Sequence, residues 1–83
     1  MQLVLVKLKA RDVEAVKFQE VLTKHGCNIS LRLGLHEMGD EACSNEGLII
    51  LQVKSDGPAA ESLVADLRSI APEDRLAIKP ITL

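Results

Sequence analysis

The sequence predicts an α+β fold of the ferredoxin-like βαββαβ type, a four-stranded antiparallel sheet with two helices on one face. Three observations point to it. Runs of branched aliphatics at 3–8 and 47–53 are too short for helices, two apolar stripes recur at helical spacing between and after them, and residues 28–35 alternate between apolar and polar.

Leu3 to Leu8 reads Leu-Val-Leu-Val-Lys-Leu, which predicts a first strand apolar on both faces. Asp12 then offers a cap, and Ala15, Phe18, Val21, Leu22 and His25 form a stripe that Gly26 stops, so a helix is expected over 12–25. In the next segment Ile29, Leu31, Leu33 and Leu35 fall on one face, with Asn28, Ser30, Arg32 and Gly34 on the other, as in a half-buried strand. His36 to Asn45 carries Gly39 and the acids Glu37, Asp40 and Glu41 but no branched aliphatic, and reads as a loop. Gly47 to Val53 is the third strand, closed by the turn signal Ser55-Asp56-Gly57. Pro58 suits a first helical position, and Ala60, Leu63, Val64, Leu67 and Ile70 continue a stripe that ends before Pro72, giving a second helix over 58–70. Leu76 to Ile81 is a last strand, whose Pro80 is tolerated only at an edge or a strand end.

In this topology the first and third strands are central, which agrees with their apolar character on both faces. Lys7 shares a face with Leu3 and Leu5, and Gln52 with Leu48 and Ile50, so those faces should point away from the helices. Val4, Val6, Leu8, Ile49, Leu51 and Val53 would then form the helix-side core. Leu3, Leu5, Leu48 and Ile50 would be left as an apolar patch on the open side, the mark of an interface. A homo-oligomer, dimer or tetramer, using that open face is therefore expected.

The chain has 83 residues, the length of one domain over 1–83, and buries only about 60 to 65% of its unfolded surface. Burial against a partner subunit would therefore matter. Phe18 is the only aromatic residue, so the core is aliphatic. Ten basic and twelve acidic residues give a net charge of −2 with no basic block, which argues against direct nucleic-acid binding. The apolar runs are too short for a membrane span or a signal peptide, so no membrane partner and a cytoplasmic location are expected. Cys27 and Cys43 are read as free thiols.

Each chemistry that such a fold carries must be sought at its own residues. Base stacking lacks a platform, because the two central strands contain no aromatic residue. Cys27 and Cys43 are too far apart for a Cys-x-x-Cys metal turn. The first strand is not followed by a glycine-containing phosphate loop, although Arg11 is near. His25 and Cys27 straddle a helix stop and a strand start, which sets no nucleophile beside a base. No catalytic residues are assigned and the chain is not read as an enzyme. The candidate metal donors are His25, His36 and Cys43, with Glu37, Met38, Asp40 and Glu41 nearby; imidazole and thiolate together suit zinc, nickel or copper. The cofactor is left open.

The run Val21-Leu22-Thr23-Lys24-His25-Gly26, followed by Ile29 and Arg32-Leu33-Gly34-Leu35, resembles the small family of iron-only hydrogenase system regulators, ACT-like proteins with the same βαββαβ order. That resemblance implies a regulatory or sensory module and names no ligand. More distantly the chain resembles the C-terminal domain of the nickel-responsive repressor, also ACT-like and tetrameric, in which histidines and a cysteine around the second strand bind nickel. His25 and His36 have the spacing of two such histidines and Cys43 lies near the cysteine, but Met38 stands where a further histidine is expected and Cys43 is displaced by one position. The DNA-binding segment of that repressor is missing, so a role as a transcriptional regulator would need another protein. ACT domains proper bind amino acids at a subunit interface, often beside a glycine after the first strand; the turn here, Lys9-Ala10-Arg11-Asp12, has none. Arg32, with Asn28 and Ser30 on the polar side of the second strand, is the candidate contact for a carboxylate ligand or an acidic group on a partner. The leading expectation is an oligomeric regulatory module that binds a small molecule, a metal ion or a partner protein without catalysis. A ligand-free assembly domain is the alternative, and a small enzyme the third reading.

Overall fold

Strand β1 (Gln2–Leu8) runs through the middle of the molecule and determines what the other elements can do. The computed structural model describes residues 1–9, 11–36, 47–55 and 57–83. After β1 come α1 (Arg11–Lys24), a 3-10 turn (Gly26–Asn28), β2 (Ile29–His36), β3 (Gly47–Val53), α2 (Ala59–Arg68) and β4 (Leu76–Thr82). The four strands form one sheet in the order β2-β3-β1-β4, with every neighbouring pair antiparallel. The expected order, the central pair and the two edges are all found. Among the described residues no helix is long and apolar enough to cross a membrane.

Both helices lie against one face of this sheet. Val4, Val6 and Leu8 of β1 and Leu51 and Val53 of β3 are buried there, with Ile49 packed against them. Phe18 and Leu22 of α1 and Ala60, Leu63, Val64 and Leu67 of α2 close over them, joined by Ala71 and Leu76. Each fully buried large aliphatic contributes about 1.5–3 kcal/mol. In α2 the buried positions recur at i, i+3, i+4 and i+7, while Glu61 in the first turn and Arg68 in the last match the helix dipole. Gly57, with φ of 56°, takes the left-handed turn between β3 and α2 that other residues adopt only with strain.

Several boundaries differ from the sequence reading. The first helix runs from Arg11 to Lys24, beginning and ending one residue earlier than expected. The second begins after Pro58 and ends at Arg68, two residues short of Ile70. The expected loop over 36–45 falls outside the described residues apart from His36, which ends β2.

The largest departure is in β2. Its register breaks between Ile29 and Leu31: Ile29 lies opposite Val53, on the helix side, whereas Leu31 lies opposite Gln52, on the open side. The four alternating residues therefore do not share one face. A β-bulge inserts one residue against the partner strand, and Ser30 occupies that place here, its Oγ donating to the Gln52 carbonyl at 3.3 Å. The insertion lets Ile29 pack against the core while Leu31, Leu33 and Leu35 face the other way.

Candidate functional site

The open side of the sheet is built from residues of one parity in each strand. Across it, Leu35 pairs with Leu48, which pairs with Lys7 and then Ala77; Leu33 with Ile50, Leu5 and Lys79; Leu31 with Gln52, Leu3 and Ile81. Most of each row is apolar, and the rows are contiguous. Val4, Val6 and Leu51 on the helix side have no exposure, but Leu31, Leu33 and Leu35 remain 47%, 47% and 51% exposed and Leu48 36%. The polar groups on this face are Lys7, Lys79 and Gln52, and no carboxylate stands on it among the described residues. A broad apolar surface with a few cations gains free energy by being covered.

Of the proposed donors and ligand contacts, the described residues place His25, Asn28, Ser30, Arg32 and the backbone of His36. His25, just past the end of α1, is buried, and its Nε2 lies 2.6 Å from Asp66 Oδ2. With the carboxylate ionised, the ring donates that hydrogen bond. Lys24 Nζ reaches the same oxygen at 3.1 Å. The hydrogen bond from His25, and then that from Lys24, hold the Asp66 carboxyl below the usual carboxylate value. His36 is the last residue of β2, with its backbone opposite Gly47, and Cys43 lies outside the described residues, as do Glu37, Met38, Asp40 and Glu41. Among the described residues no three of His, Cys, Asp and Glu gather as a metal site would require. Cys27 is an exposed free thiol.

Asn28, Ser30 and Arg32 do not form one polar strand face. Asn28 belongs to the 3-10 turn, where its carbonyl accepts from the Lys54 amide, and Ser30 sits at the bulge. Arg32, opposite Leu51, is on the helix side of β2 yet exposed, as is Gly34, so this end of the edge strand is uncovered.

Two further groups were not singled out in the sequence. Asp66 is one. Glu14 is the other: 4% exposed, with Oε1 3.4 Å from Arg75 Nη1 but no hydrogen bond to that oxygen. A signal for Glu14 existed, since it precedes Phe18 and Leu22 by four and eight residues on the same helix face. Asp66 has no comparable signal, because its partner is 41 residues away.

No protein-family model and no curated protein matches this chain. Solved structures do. An uncharacterized protein from Thermotoga maritima superposes with a TM-score of 0.78 at 21% identity, over 99% of this chain and 94% of that one. CutA1 from Pyrococcus horikoshii gives 0.59 at 17% identity, over 100% and 83%. The periplasmic divalent cation tolerance protein CutA from Archaeoglobus fulgidus gives 0.58 at 12% identity, over 100% and 84%. The likeness is one of fold, the ferredoxin-like arrangement of four antiparallel strands and two helices.

These findings correct the family resemblance drawn from the sequence. The named neighbours are CutA proteins, not ACT-like iron-only hydrogenase system regulators or the nickel-responsive repressor domain. The physical reason lies in what carried the resemblance. The Arg32 to Leu35 step is a stretch of edge strand whose spacing is set by the pleat, and a pleat recurs in unrelated sheets.

Proposed function

We propose that this chain is a non-catalytic, self-associating binding module that assembles through the open face of its sheet. The observation that carries this reading is the contiguous apolar surface on which Leu31, Leu33, Leu35 and Leu48 are exposed and Leu3, Leu5 and Ile50 half-buried in a lone chain. An 83-residue chain has a small core, so covering this face adds a substantial share of its stability. The titratable groups that the fold buries among the described residues, His25 and Glu14, support a structural role: His25 ties the end of α1 to Asp66 of α2, and Glu14 faces Arg75.

A divalent cation is the ligand class suggested by the name of the Archaeoglobus neighbour. The described residues hold no donor cluster for one. His25, His36 and Cys43 are the donors to test, and His25 could ligate only through Nδ1 without losing Asp66. Native mass spectrometry with and without zinc or nickel tests both parts of the proposal. An oligomer is the expected result, and extra mass on it would identify the module as a cation binder. A bare monomer at micromolar concentration would overturn the self-association reading.

A further inference from the structure

We infer that β2 is the seam of a two-fold dimer, pairing antiparallel with β2 of a second copy so that Leu33 stands opposite its own counterpart. This rests on the self-association proposed above and names the contact that begins it.

The sheet has two edges, and they are guarded differently. At β4 the outer edge carries Pro80, which has no N–H to donate, and the exposed Lys79. Both are devices that blunt strand addition. At β2, Ile29–His36 is the longest strand of the four at eight residues; its bulge at Ser30 and the charged Arg32 blunt its first half, but no proline interrupts the regular stretch from Leu31 to Leu35. Among the described residues it lies at the end of the strand order, so one side of its backbone has no partner strand there. Leu31, Leu33 and Leu35 project beside that edge, half exposed. Of the two edges, a proline-free regular stretch with a leucine at every open-side position is the better template for another strand.

The register follows from parity and charge. Residues directly opposite one another in an antiparallel ladder share a face, so odd positions must meet odd ones and even positions even ones. Setting Arg32 against itself would place like charges directly opposite and draw the bulged start of the strand into the ladder. Setting Gly34 against itself would put Leu31 opposite position 37, beyond the end of β2, and centring on Leu31 or Leu35 would use less of the regular strand. Centring on Leu33 pairs Leu31 with Leu35, Leu33 with Leu33 and Arg32 with Gly34, and uses the whole regular stretch from Leu31 to Leu35. On the open side the leucines of both copies then form one ladder that carries the apolar surface across the seam. On the other side each Arg32 crosses Gly34 of the second copy. Gly34 is suited to that, because even an added Cβ there would meet nothing within 4 Å.

Cysteine cross-linking tests the register, in a background of Cys27→Ser and Cys43→Ser that removes the native thiols. Under mild oxidation Leu33→Cys is expected to give a disulfide-linked dimer as the main product at low micromolar concentration. Leu31→Cys alone should not, since its sulfurs would be roughly 14 Å apart, beyond the Cα separation of about 7 Å that a disulfide spans. An equimolar mixture of Leu31→Cys and Leu35→Cys should cross-link, and provides the test if Leu33→Cys does not fold. An oligomer in which Leu33→Cys cross-links no faster than Leu31→Cys overturns the seam alone. A monomer by light scattering overturns the seam and the self-association reading together.

Discussion

His25 Nε2 and Asp66 Oδ2 lie 2.6 Å apart, joining the residue after α1 to the third turn of α2. The contact is formed by a buried ring and a carboxylate that Lys24 also holds, and it links the two helices at the edge of their shared core. Because these donors depress the Asp66 pKa, the folded state binds a proton on that group less readily than the unfolded chain does. The resulting stabilisation is present above the unfolded carboxylate value, about 3.9, and is lost as pH falls through the lower folded value. Urea unfolding between pH 2 and 7 is expected to show this acid limb in the wild type and a shallower one in Asp66→Asn. Parallel curves would mean that the pair is not formed in solution.

The Glu14 and Arg75 pair is asymmetric, since the carboxylate is buried and the guanidinium half exposed. Removing Arg75 leaves a buried charge without its partner, whereas Glu14→Gln removes the charge itself. Arg75→Met is expected to cost about 1–3 kcal/mol, and Glu14→Gln about 1 kcal/mol or less. Chemical denaturation at pH 7 measures both, and the reverse ranking would show that Glu14 is satisfied by something other than Arg75.

Ile50 stands between Leu33 and Leu5 at the centre of the open face. Ile50→Lys would bury an unpaired charge in any assembly that covers this face. We expect contacts across the open face to be lost, so that native spectra show no species larger than the β2-paired dimer, with the circular dichroism retained. Assembly unchanged in this variant would place the interface elsewhere.

If the chain retains a divalent cation, His36→Ala combined with Cys43→Ala is expected to release it. The readout is bound metal per chain after desalting. Retention by the double variant would remove both residues from the donor set and leave His25 unsupported.

Much of the fold was legible before any coordinates. The doubly apolar runs at β1 and β3 marked them as central, Pro80 marked β4 as an edge, and Lys7 and Gln52 identified the side of the sheet that faces away from the helices. The candidate site was legible only in part. The patch of Leu3, Leu5, Leu48 and Ile50 followed from parity, but its extension by Leu31, Leu33 and Leu35 did not, because a strand pattern alone does not say which of its faces is turned to the core. The polar trio Asn28, Ser30 and Arg32 looked like one face because an unbroken alternation conceals a bulge.

The order of the elements, their approximate bounds and the residues of β1, β3 and α2 that turn inward can be read from the chain alone. Those properties follow from the local periods of strand and helix, which each segment carries within a dozen residues. That His25 meets Asp66, that Glu14 is buried against Arg75 and that Ile29 leaves the face of its neighbours emerges with the folded arrangement. Each of these depends on a group brought near by the packing of distant segments. Burial and pairing are set by what lies across the contact, and a linear pattern does not carry that information.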